Sequence, residues 1–273
     1  MSGAMQSDLS PFERALQLEP VGEGRYRTEI PAGWEQGRGA YGGLVMATLV
    51  RAIEREEPDA SRSLRALTGE IPAPVAVGET AIATEVLRRG AGVTTTRAVL
   101  SQRGETLAQA TGVLGSVRRG VPSWRTMAAP EMKPWRDAEV LPYMEGAMPA
   151  FAANMEFRNL GPLPFGGTES PWSEGWVRPR VAVGERGAAY LAALIDAWWP
   201  CALVRFDAPR PSATITFTLE LVSGFEGLDP EAPLYYRATA PVTEEGYSVE
   251  FRELWGSDGR LLALNQQTFV IIK

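Results

Sequence analysis

GAAYLAALIDAWWPCAL, residues Gly187 to Leu203, is apolar almost throughout and carries a single acid, Asp196. A helix that is hydrophobic all round is a buried helix, and an ionised carboxylate buried without partners is very costly. Asp196 must therefore be paired, neutral or placed in a cavity. Its helical neighbours Ala192 and Ala193 are small, with Trp199 one turn on, which leaves room for a ligand beside the carboxylate. The structural alternative is an ion pair with Arg205 or Arg186.

Working outward, the helix is one of a pair. RGAYGGLVMATLVRAI from Arg38 aligns with RGAAYLAALIDAWWPC from Arg186, which puts Thr48 opposite Asp196. GETLAQATGVLGSV from Gly104 aligns with GRLLALNQQTFVII from Gly259, which puts Gly112 opposite Gln267. The two matches occur in the same order at a spacing of roughly 150 residues, the mark of an internal duplication. Each half reads as a strand, a helix and a run of strands. GRYRTEI precedes the first helix, and SLRALTGEI, GETAIATEVLRRG, GVTTTRAVLSQRG and ETLAQATGVLGSV follow it with period-two alternation and short turns. In the second half GWVRPRV precedes the helix, and PSATITFTLELV, PLYYRATAPV, GYSVEFRELWGSDG and RLLALNQQTFVIIK follow. This is an α+β chain with domains at 1–118 and 151–273. Residues 119–150, rich in Pro, Met and Trp, form a connecting segment whose aromatics should pack over a surface. Residues 1–19 form a lead-in with too few apolar positions to define a helix.

Composition narrows the chemistry. The 273 residues contain no histidine and one cysteine, Cys201. Ser-His-Asp and Cys-His catalysis, histidine-ligated zinc and multi-cysteine metal sites are all excluded, and Cys201 reads as a packed core thiol. Acid–base work falls to carboxylates, hydroxyls and amides. A net charge of −6 disfavours nucleic-acid binding, although Arg88-Arg89 and Arg118-Arg119 could meet a small phosphorylated ligand. No apolar run reaches membrane-spanning length and the N-terminus lacks a signal-peptide pattern, so a cytoplasmic protein is expected.

Three places carry polar groups where the pattern calls for apolar ones. In the strand from Ser212, Ala213, Ile215, Phe217 and Leu219 alternate with Thr214, Thr216 and Thr218. By parity Thr214 belongs with the outward threonines, so it reaches a site on the helix side only through a kink, unless the site opens on the second face of the sheet. In the last strand Gln266 and Gln267 point to opposite faces, so one amide is inward and needs partners. The GRGAYGG loop lacks a phosphate-binding spacing, yet its N–H groups at a helix start could polarise a carbonyl oxygen.

The duplicated halves, the glycine-led helix and the trio Asp196, Thr214 and Gln267 resemble the type II acyl-CoA thioesterases, best in GRGAYGG, LIDAWWPCAL, SATITFTLEL and GRLLALNQQTFVI. The resemblance implies a double-hotdog fold, two fused antiparallel sheets joined side by side, each wrapping its own helix. It implies hydrolysis of acyl-CoA or a related thioester, without cofactor or metal, by a water that Asp196 activates and Gln267 and Thr214 orient. Gly42 and Gly43 would polarise the thioester carbonyl, and Met46, Trp198 and Trp199 would wall the acyl group or fill the core. A fused pair already gives each half its partner, and homodimerisation is left open. A non-catalytic acyl or lipid-like ligand binder on the same fold is the alternative.

Overall fold

The computed structural model describes residues 9–272; the first eight residues of the lead-in and Lys273 lie outside them. The lead-in does form a helix, α1 (Pro11–Ala15), whose N-terminal end is tied and whose Phe12 and Ala15 are buried in the core. Ser10 accepts from the Glu13 N–H at 3.2 Å while the Glu13 carboxylate accepts from the Ser10 N–H at 2.9 Å, a capping box spelled S-x-x-E.

β1 (Glu19–Gly22), β2 (Arg25–Ile30) and the small hairpin β3 (Glu35–Gln36) and β4 (Gly39–Ala40) lead to α2 (Gly42–Arg55), then β5 (Ser63–Glu70), β6 (Gly78–Arg89), β7 (Val93–Gln102) and β8 (Glu105–Gly115). The second half repeats this with β9 (Met155–Asn159), β10 (Trp172–Pro179), α3 (Ala188–Asp196), β11 (Ser212–Leu221), β12 (Leu234–Glu244), β13 (Tyr247–Trp255) and β14 (Leu261–Ile271). All but β3 and β4 belong to one antiparallel sheet of twelve strands in the order β1-β2-β6-β7-β8-β5-β11-β14-β13-β12-β10-β9. The order is a palindrome about the β5–β11 seam, where Leu67 faces Leu219 and Gly69 faces Phe217. The two sheets expected from the sequence are thus one continuous sheet: each half has an edge at its first post-helix strand, and pairing these edges satisfies both.

The helices lie side by side on the inner face. Ten of the fourteen α2 residues are buried and all nine of α3 are, as an all-round apolar helix requires. Their contact is close enough that a Cβ at Gly43 would come within 2.7 Å of the Ala193 carbonyl. Pro200 ends the second helical region and the chain turns through a short 3-10 segment, Cys201–Arg205, leaving Asp196 as the last residue of α3.

The connecting segment is divided in its behaviour. Trp135, Met132 and Ala138 pack with Trp176, Tyr235, Trp255 and Leu261 in a second apolar cluster, pinned by a 2.9 Å bond from Trp176 Nε1 to the Lys133 carbonyl. Trp124, by contrast, is 82% exposed, so the expectation of covered aromatics fails there. No described helix is long and apolar enough to cross a membrane.

Candidate active site

The end of α3, β11 and β14 bring the three sequence-derived residues together. Gln267 Nε2 donates to Asp196 Oδ1 at 2.7 Å, and Thr214 Oγ1 donates to Gln267 Oε1 at 3.2 Å. Gln267 is fully buried and Asp196 keeps 6% of its surface, whereas Gln266 points outward and is exposed. Thr214 reaches this face through a kink, the first of the two routes that parity left open. The β11–β14 register jumps between Thr214 and Thr216, so that Thr214 faces Phe269 and Phe217 faces Gln267. Ile215 is the extra residue of a β-bulge, and it turns Thr214 inward.

The cation that holds Asp196 is neither Arg205 nor Arg186. Arg252 Nη1, from β13, donates to Asp196 Oδ1 at 2.7 Å, and its Nε donates to Glu250 Oε1 at 2.8 Å. Both Glu250 and Arg252 are fully buried, and Asn265 nearly so. In YSVEFRELW the apolar Tyr247, Val249 and Phe251 look like the inward set, yet Phe251 is 48% exposed and the charged alternates face the core. The available signal was the need of Asp196 for a buried cation, joined to Leu254, which shares the face of Glu250 and Arg252.

Burial raises the Asp196 carboxyl above its ordinary value, opposed by Arg252, by the Gln267 hydrogen bond and, more weakly, by the Gly43 N–H. Such an acid is a stronger base than an exposed aspartate once ionised. Burial, reinforced by Glu250, pushes the Cys201 thiol far up, so it is no thiolate nucleophile.

The glycine loop meets the trio directly. A Cβ at Gly42 would lie 2.8 Å from Asp196 Oδ2, and one at Gly43 would lie 3.0 Å from Asp196 Cβ. Among the described residues no side chain donates to Oδ2. Gly42, and Ile71 beside it, are partly exposed. Met46 is buried with its sulfur against Gly69, which lies in the cross-strand row that runs through Phe217 to Gln267. Trp198 is stacked on Tyr236 at 5.2 Å and packed edge-on to Phe157, inside the C-terminal core with Trp199 beside it. A cavity of about 400 Å³ lined by Pro11, Trp34, Tyr143 and Asn154 touches none of the trio.

The first half has no equivalent site. The palindromic registers set Leu64 and Gly112 where the second half has Thr214 and Gln267, and the sequence alignment sets Thr48 where it has Asp196. Thr48 spends its hydroxyl on the Leu44 carbonyl at 2.8 Å, and the space beside Gly112 is taken by Ile53 and Leu64.

Fold and site together define a duplicated helix-on-sheet protein with one buried carboxylate centre. An acyl-CoA thioesterase N-terminal domain matches residues 30–115, and an acyl-CoA thioesterase C-terminal domain matches residues 127–271. The chain belongs to the acyl-CoA thioesterase family. Its fold is that of a hot-dog protein of unknown function from Alicyclobacillus acidocaldarius, at 24% identity and TM-score 0.84 over 97% of this chain and 98% of that one. A protein provisionally described as a thioesterase II, from Thermobifida fusca, is equally similar at 24% and 0.84, over 97% and 99%. A tesB protein of Mycobacterium avium subspecies paratuberculosis shares 16% identity at TM-score 0.80, over 97% and 100%. No protein of curated function matches the chain.

Proposed function

We propose that the protein is a double-hotdog hydrolase that cleaves acyl-CoA to the free acid and the thiol through a water activated by Asp196. The observation that carries this reading is the chain of bonds from Thr214 through Gln267 to Asp196 Oδ1, which leaves Oδ2, free of side-chain donors among the described residues, beside the first residue of α2. The thioester carbonyl oxygen would rest against the N–H groups of Gly42 and Gly43, where the positive end of α2 favours a developing oxyanion. Asp196 Oδ2 takes a proton from the water as its oxygen bonds to the carbonyl carbon. Collapse of the tetrahedral adduct breaks the C–S bond, and the thiolate leaves to be protonated. A thioester is activated enough that a base with oriented water suffices without a covalent nucleophile. We assign the acyl contact to Met46, on the Gln267 side of the helix pair, and core packing to Trp198 and Trp199.

Thiol release from a panel of acyl-CoA chain lengths tests the reading. Cleavage of at least one chain length with saturation kinetics is expected. Binding without cleavage across the panel would replace it with the non-catalytic acyl binder.

A further inference from the structure

Glu250 and Arg252 have no part in the scheme above, yet both are fully buried, and a buried charge is among the costliest groups a fold can hold. The fold does not require them. The internal symmetry sets Thr96 and Ala98 of β7 at the same two places, opposite Gly112 and Ala110 where the second half has Gln267 and Asn265. The pair is built instead around the end of α3. Arg252 Nη1 donates to Asp196 Oδ1 at 2.7 Å and to the Ile195 carbonyl at 3.1 Å. Glu250 holds that guanidinium at Nε and is itself anchored, accepting from the Tyr236 hydroxyl at 3.2 Å and from the Cys201 N–H at 2.8 Å. One guanidinium thus grips both a helix-end carbonyl and the carboxylate, and Glu250 ties it to the turn beyond Pro200. With two donors from neighbouring strands on Oδ1, the plane of the carboxylate is set.

We propose that Arg252, held by Glu250, is a positioning residue of the hydrolytic site: it fixes Asp196 so that Oδ2 faces the start of α2, where the attacking water must lie. This rests on Asp196 being the base. The planar fork is what allows one cation to serve a carbonyl and two carboxylates at once, which a lysine cannot reproduce. The other titratable groups that feel Asp196 are Tyr41, preceding α2, and Tyr236 of β12, both held neutral by burial. Among the described residues Arg252 is the cation paired with the carboxylate.

Glu250→Gln/Arg252→Met removes both charges together, and Arg252→Lys keeps a charge without the fork. The readouts are kcat and KM against pH on the acyl-CoA that the wild type cleaves fastest, carboxyl-carbon NMR titration of Asp196, and thermal melts. In the folded double variant kcat should fall at least about tenfold with KM within about twofold, because alignment and not affinity is lost. Its acid limb and the Asp196 midpoint should both rise by about one pH unit. Arg252→Lys should restore the limb and not kcat. Wild-type kcat with an unmoved midpoint would overturn the proposal and reduce the pair to a brace. Should the double variant not fold, Arg252→Lys decides, and wild-type kcat there overturns the proposal equally. A wild type that cleaves no thioester, with the Asp196 midpoint still rising in the variant, would overturn the thioesterase reading and leave the hold on Asp196 standing.

Discussion

Asp196, the proposed base, sits in surroundings that disfavour its charge. Its carboxyl lies above the ordinary 3.8 because burial outweighs Arg252 and Gln267, so kcat/KM should rise with pH along a limb displaced upward from that value. Stability runs the other way. A raised pKa means that the folded state favours the neutral acid, so this contribution is complete below 3.8 and is lost as pH climbs through the raised value. Asp196→Asn has no such loss and can still accept Arg252 and Gln267 at its amide oxygen. Urea unfolding over a pH series should therefore show the stability difference moving in favour of the variant as pH rises. Gln267→Leu removes the amide that joins Asp196 to Thr214 and should cost about 1–3 kcal/mol of stability along with activity, since buried groups lose their partners. At this scale the sequence was informative where polar residues interrupt apolar patterns, as at Asp196 and Gln267. It was silent on Glu250 and Arg252, because a charge in an alternating strand reads as outward until its partner is known.

At the scale of elements, the approach of α2 to α3 depends on two glycines with separate duties. A Cβ at Gly43 would sit 2.5 Å from the Tyr41 ring and 2.7 Å from the Ala193 carbonyl, so Gly43→Ala should force the helices apart and cost about 1–3 kcal/mol in melts. A Cβ at Gly42 meets Asp196 Oδ2 at 2.8 Å. Gly42→Ala should accordingly lower kcat/KM at least about tenfold by displacing the proposed base, with a smaller effect on melting. Helices and strands were largely legible from periodicity, because each half buries one face. The β11 bulge was not: an extra residue at Ile215 leaves no mark in composition, and only the demand that Thr214 face inward pointed to it. The α1 cap was legible in principle as S-x-x-E, although the lead-in's sparse apolar residues argued against a helix.

The whole molecule is a palindromic sheet whose second half carries a polar centre, and at that centre the two halves differ in their side chains. Aligning the halves by sequence set Thr48 against Asp196 and Gly112 against Gln267, and the strand registers reproduce the second of these pairings from the backbone. The resemblance led to sheets joined side by side, but sequence could not show that β5 and β11 form the seam, since that depends on which strand each half leaves open. Nor could composition separate Trp135, which finds a cluster, from Trp124, which does not. The central claim is a single carboxylate-dependent site in the second half, and the symmetry supplies its control. The deciding measurement is kcat/KM for the preferred acyl-CoA in wild type, Asp196→Asn and Thr48→Val, each verified folded by its melt. Asp196→Asn should fall by about 10²–10⁴-fold, the range for loss of a general base, while Thr48→Val stays within about twofold. A folded Asp196→Asn that hydrolyses at the wild-type rate would contradict the account.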